Sequence, residues 1–212
     1  MLPVESVIAF VFASVLLALA PGPDNIFVLA QSALYGRKAG LFVTLGLSTG
    51  LVFHTTAVAL GVAVIFQNSA LAFNLLKIAG AVYLLYLAWG AFRAPAEDLA
   101  EGGVEPASNR ALYTRGIIMN ITNPKVSLFF LAFLPQFASA ETGPLAPQIF
   151  QLGALFIVAT LIVFGSIALL AGQLGSWLKS SPGVQLGLNR TAGVVFVGLA
   201  LNLLASSGRQ AT

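Results

Sequence analysis

The sequence predicts an all-α, polytopic membrane protein of six transmembrane helices, arranged as two inverted three-helix repeats. Three observations carry that reading. Of 212 residues, 58% are hydrophobic and 8% charged, against roughly 45–50% and 25% in soluble domains. Seven acids and ten Lys/Arg are too few to cover the surface of a water-soluble domain of this size. Apolar stretches recur along the chain, each long enough to cross a hydrocarbon core of roughly 30 Å. At about 20–22 residues per span, six spans use roughly 120–130 residues and leave about 80 for loops and ends. Finally, each half of the chain carries a proline interruption in its first helix.

The elements follow in order. Residues 1–93 form the first repeat. Its first helix covers about 4–34 and is broken at Pro21-Gly22-Pro23; the second covers about 39–66 and the third about 70–92. The opening apolar run ends in Ala18-Leu19-Ala20 like a signal-peptide cleavage site, yet it carries Glu5 and no Lys or Arg precedes Arg37. A signal peptide starts basic, so a retained span is expected. A connector at 94–113 follows, with Glu97, Asp98, Glu101 and Glu105 among Gly, Pro and Ala. That composition predicts a flexible link between halves. Residues 114–212 form the second repeat: a helix at about 114–137 broken at 123–125, then helices at about 148–171 and 191–205.

Orientation follows from the cations. Arg37, Lys38, Arg93, Arg110, Arg115, Lys179 and Arg190 fall on one face, against Lys77 and Arg209 on the other. Seven against two predicts that both termini lie on the non-cytoplasmic side. Three spans per half also mean that a duplicated half enters the membrane inverted. The charges agree, because the loop after the first helix holds Arg37 and Lys38 whereas 138–147 holds no cation.

Gly/Pro interruptions at matching places in two halves are the best sequence pointer to a transporter's binding site. A proline removes one N–H and frees the carbonyl one turn earlier. Lipid satisfies neither, so such breaks sit in protein or line a wet cavity. Free N–H groups attract a carboxylate and free carbonyls an ammonium. Each break adjoins an ionisable residue, Asp24 and Lys125. A charge at the bilayer centre costs roughly 2.5–3.5 kcal/mol on insertion scales. Two readings stay open: a structural bridge between Asp24 and Lys125, or a substrate and proton pathway. At 1.5 Å per residue, Lys125 lies roughly 15 Å beyond Arg115, near mid-membrane, and Asp24 closer to the cytoplasmic face.

At these residues the chain resembles a known family. The run Ala20-Pro21-Gly22-Pro23-Asp24-Asn25 with Gly36-Arg37-Lys38-Ala39-Gly40, and Asn120-Ile121-Thr122-Asn123-Pro124-Lys125 continuing to Phe133-Leu134-Pro135-Gln136-Phe137, resemble the LysE/RhtB family of amino-acid exporters. The resemblance spans essentially the whole chain. It implies a secondary transporter of the cytoplasmic (inner) membrane that expels amino acids or close derivatives in exchange for protons. Its motifs do not separate basic amino acids from homoserine, threonine or leucine. Combined with the break chemistry, Lys125 and the N–H groups near Asn123 and Pro124 are expected to hold the substrate carboxylate. Asp24 with carbonyls of the first break would hold the ammonium or the coupling proton, and Asn25, Asn120 and Asn123 would add neutral hydrogen bonds. Efflux of a different small solute or ion on the same fold is the alternative.

The remaining candidates have structural readings. Gly46-Leu47-Ser48-Thr49-Gly50 matches a serine-hydrolase pattern, but His54 lies about 9 Å along the same helix and about 240° around it. Gly46 and Gly50 instead form a small-residue surface for close helix packing, within one subunit or in a homodimer. His54 is either a proton relay or an inter-helix hydrogen-bond partner. Tyr83, Tyr86, Trp89 and Trp177 read as packing and interface anchors. No cofactor is expected: the chain has no cysteine and one histidine, so haem attachment, iron–sulfur clusters and multi-histidine metal sites are excluded. It has no nucleotide-binding loop, so ATP-driven transport by this chain alone is not expected; it shows no plausible catalytic cluster, so no enzyme activity is expected, and its singly scattered cations predict no nucleic-acid partner. The predicted partners are an amino acid, protons and the lipid bilayer.

Overall fold

Two prolines in quick succession set the course of the first span in the computed structural model, which describes residues 2–68, 70–94 and 107–205. Helix α1, Val4–Leu19, makes its last regular bond from the Ala20 N–H to the Leu16 carbonyl. Pro21 and Pro23 have no N–H to continue the ladder. Pro23 instead opens α2, Pro23–Tyr35, where its fixed φ suits a first helical position, and α2 turns 58° from α1. Gly36, at φ 87°, supplies the left-handed turn that ends α2. Helices α3, Arg37–Asn68, and α4, Ala70–Arg93, follow.

The second half repeats this start. Ser108 caps α5, Asn109–Thr122, by accepting from the Ala111 N–H at 3.2 Å. Asn123 then caps α6, Pro124–Leu128, by accepting from the Lys125 N–H at 3.0 Å. The chain runs on through a π-helical turn, Phe129–Phe133, and a 3-10 turn, Leu134–Phe137. This second broken pair is bent by 51°. After a short 3-10 turn at Ala140–Thr142 come α7, Leu145–Ser180, and α8, Pro182–Ala205. No strand occurs among the described residues. Among the described residues, four helical stretches are long and apolar enough to cross a membrane (Arg37–Gly61, Asn74–Arg93, Leu145–Ala171 and Gly183–Ala205). The count reaches six when each bent pair serves as one span.

Some boundaries differ from the sequence reading. α5 starts at Asn109, inside the stretch assigned to the connector, because Ser108 is a competent cap. α7 continues to Ser180 and α8 begins at Pro182. Residues 172–181 carry Gly172 and Gly175 but no proline, and the helix continues until Pro182, which then occupies a first-turn position. The acidic connector residues Glu97, Asp98, Glu101 and Glu105, together with Arg209, lie outside the described residues, as do the side chains of Trp177 and Lys179.

Packing places α3 centrally, against α5 and α7. α4 lies on α8, α2 on α3 and α7, and α1 on α7. At the α3–α5 crossing the backbones nearly touch: a Cβ on Gly46 would overlap the Tyr113 carbonyl, and one on Gly116 would sit 2.5 Å from the Val43 carbonyl. Gly46 thus serves close helix packing within one chain. The core below is aromatic, with ring centroids of Phe129 and Phe133 4.8 Å apart and of Phe130 and Phe156 5.1 Å apart. Phe10 brings α1 into this cluster, 5.2 Å from Phe137 and edge-on. Outside, Ile8 and Phe12 are 64% and 65% exposed, and Leu60, Leu71, Ile162 and Val194 likewise face outward. An apolar exterior around a polar-containing interior suits lipid as the solvent.

Candidate functional site

The two helix breaks meet. The Lys125 ammonium, just past the second break, donates to the Ala20 carbonyl at 3.1 Å. That carbonyl belongs to the first break, where the α1 ladder has ended. The Asn25 amide, from the first turn of α2, folds back to donate to the Ala18 carbonyl. Gly22 forms the notch that admits the lysine: a Cβ there would lie 2.9 Å from Lys125 Nζ and 3.5 Å from Cε. The backbone of Gly22 is extended, at φ −177°, a conformation open to any residue, so the requirement is for space.

Asp24, in the first turn of α2, is buried with 3% exposure. Its carboxyl faces the side-chain amides of Asn123 and Asn120 and lies within electrostatic reach of Lys125 and His54. Among the described residues it forms no ion pair with Lys125. A direct structural bridge between the two charges is therefore absent, and Lys125 contacts main chain instead. The two bends bring Gly22 against Lys125, with Asp24 within electrostatic reach of the same ammonium.

Every candidate residue of the two motifs thus falls at one locus. Pro21, Gly22, Pro23 and Pro124 form the breaks, and Asp24, Asn25, Asn120, Asn123 and Lys125 are all buried around them. His54 joins from α3, its Nε2 3.1 Å from the Asn120 carbonyl. The freed carbonyls of Ala18 and Ala20, expected to face a ligand, are occupied by Asn25 and Lys125. What remains without a protein hydrogen-bond partner is side-chain chemistry: Asp24 Oδ1, Asn25 Oδ1, Asn120 Oδ1 and Asn123 Nδ2, all buried. Leaving a buried polar atom unpaired costs about 1–3 kcal/mol, and these atoms cluster where the helices break.

Sequence reasoning met Ser48 only within the Gly46–Gly50 packing pattern and gave its hydroxyl no role. Its hydroxyl is buried without a partner, whereas Ser14, Ser32, Thr44 and Thr55 each bond the carbonyl four residues back. Only the fold distinguishes Ser48 from those back-bonded neighbours. It is not brought to His54, whose ring nitrogen is engaged by Asn120, and the hydrolase pattern has no geometry behind it. Gly50, in the same pattern, lies against Asn120: a Cβ there would come 2.6 Å from Oδ1.

Comparisons with known proteins agree over nearly the whole chain. Residues 15–207 match the family described as LysE type translocator. The chain is 35% identical over 199 residues to the homoserine/homoserine lactone efflux protein of Salmonella typhimurium, covering 94% of this chain and 95% of that one. It is 32% identical over 200 residues to an uncharacterized membrane protein of Vibrio cholerae, with 94% and 96% covered. It is 30% identical over 205 residues to the leucine efflux protein of Klebsiella pneumoniae, with 92% and 93% covered. No solved structure matches it. The chain, a multi-pass helical membrane protein with its two motif-bearing helix breaks side by side, belongs to the LysE family of translocators.

Proposed function

We propose that this protein is a secondary exporter of amino acids or close derivatives, working by proton antiport and alternating access from the inner membrane. The observation that carries the reading is the set of unpartnered polar atoms where the breaks meet, with Lys125 beside them. Asp24 Oδ1 and Asn120 Oδ1 are acceptors suited to an ammonium, while Lys125 and Asn123 Nδ2 are donors suited to a carboxylate. A zwitterion matches both. A carboxylate that holds either the substrate ammonium or a proton, never both, couples the two fluxes in opposite directions. In this role Asp24 exchanges one for the other on opposite sides of the membrane.

The names of the relatives sharpen the substrate class. Homoserine, its lactone and leucine share an amine, and the lactone has no free carboxylate. The amine is then the common anchor, held by Asp24, and the carboxylate a second handle, held by Lys125. Two inverted three-helix halves, residues 1–93 and 114–212, would rock about this locus. The pairing of α3 with α7 and of α4 with α8 supports that layout, because a two-fold axis within the membrane brings corresponding helices together. The cation distribution supports termini on the non-cytoplasmic side.

The test is efflux of labelled amino acids from preloaded proteoliposomes, with and without an opposing proton gradient, alongside Lys125→Ala. Gradient-dependent efflux of a few amino acids, lost in the variant, supports the reading. Absence of efflux for every amino acid in folded protein would move the assignment to another solute.

A further inference from the structure

We propose that His54 supplies the N–H that Pro124 lacks, and so positions the second helix break. In an uninterrupted helix the Asn120 carbonyl would accept from residue 124, but a proline there has nothing to donate. That carbonyl accepts instead from the Asn123 N–H at 3.1 Å, a tighter turn that fills one lone pair. The second lone pair faces His54 Nε2, also at 3.1 Å. A carbonyl oxygen only accepts, so the hydrogen of this bond sits on Nε2.

The imidazole comes from a different span and is held there. His54 is 7% exposed on α3, with its ring 6.0 Å from Phe53 and 5.6 Å from Phe130. One helical turn earlier, Gly50 receives the Asn120 side chain. Thus α3 grips Asn120 twice, its carbonyl through His54 and its amide against Gly50. Asn120 and Asn123 face Asp24, so a shift of the break moves both amides relative to the carboxyl. This assignment makes His54 a positioning residue rather than a proton relay, because the Nε2 hydrogen is given to an amide oxygen that does not carry a proton onward. The inference rests on the breaks being the transport locus.

His54 is the chain's one histidine, so 15N-histidine labelling of protein purified without a histidine tag reports on it alone. A protonated Nε2 is expected in the wild-type protein, and an unprotonated, pyridine-type Nε2 would overturn the proposal whatever the transport result. Transport of the substrate found above then separates position from mere bulk. Glutamine places an amide N–H near the Nε2 position, asparagine near Nδ1, and leucine offers none. His54→Gln is expected to keep export within about threefold of wild type, while His54→Leu and His54→Asn lose about tenfold or more in kcat/KM. Wild-type export by His54→Leu would overturn the proposal, and a misfolded His54→Leu leaves the glutamine–asparagine contrast to decide. If the wild-type protein exports no amino acid, the functional reading fails while the nitrogen signature still judges His54.

Discussion

The ammonium of Lys125 and the carbonyl of Ala20 share a hydrogen bond of 3.1 Å that joins the two broken helices. This bond links the end of one interrupted helix to the start of another, a C-terminal carbonyl to a cation, which the helix dipole favours. It leaves the Asp24 carboxyl with no direct ion partner among the described residues. Substrate binding at this locus would draw Lys125 from main chain to ligand, and the following expectations test that arrangement.

Gly22→Ala places a methyl group 2.9 Å from Lys125 Nζ. The lysine is long and will shift, so the fold survives while the bond to Ala20 is lost. Export should fall about tenfold, because the ammonium is pushed away from the place where it would meet the substrate carboxylate. The lost folded-state bond, worth about 1.5 kcal/mol, should lower the melting temperature of the purified protein by only a few degrees. Comparing initial efflux rates and thermal unfolding of both proteins checks this.

Asp24→Asn preserves shape and removes the charge proposed to hold every substrate's ammonium. Export of all amine substrates should fall about 10- to 100-fold, from hydrogen bonds to charged groups worth about 1.5–3 kcal/mol. Proton-driven and gradient-free efflux should fall together, ending the coupling. Parallel efflux assays with and without the gradient read both effects.

Lys125→Met keeps an unbranched side chain, one atom shorter, without its charge. Export of the zwitterionic substrate should drop by about tenfold or more, while a derivative with the amine but no carboxylate should be much less affected. Competition by each compound against one labelled substrate measures the divergence.

Gly46→Leu forces a side chain into the Tyr113 backbone. Overpacking of this kind costs about 1–3 kcal/mol, so the variant should unfold at a visibly lower temperature. Gly90→Leu, on α4 with open space before it, should be neutral. Thermal unfolding in one detergent compares the pair.

Composition and proline placement were enough to read the helical membrane class, the broken spans and the residues around them, because apolar length and missing N–H groups are local properties. Asp24 and Lys125 could be named from sequence since a charge amid apolar residues needs a reason. Their geometry could not. Whether Lys125 reaches a carboxylate or the Ala20 carbonyl depends on the 58° and 51° bends, which set how the two halves face each other. His54 and Ser48 illustrate the same limit: both sit on α3, yet only tertiary packing gives His54 the Asn120 carbonyl and leaves the Ser48 hydroxyl without a partner. Helix ends at Asn109 and Ser180 were displaced from the sequence reading because polarity marks a membrane surface, whereas caps and prolines mark the end of a helix.

In the proposed mechanism the amine is the obligatory handle of the substrate and Asp24 its holder. The most direct measurement is binding of three compounds to purified wild-type protein and to Asp24→Asn by titration calorimetry. The compounds are the amino acid found to be exported, its methyl ester without a carboxylate, and the corresponding 2-keto acid without an amine. The amino acid and the ester should bind the wild type, the keto acid should not, and Asp24→Asn should bind the two amines about 10- to 100-fold more weakly. Binding of the keto acid in preference to the ester, or undiminished binding by Asp24→Asn, would contradict the account.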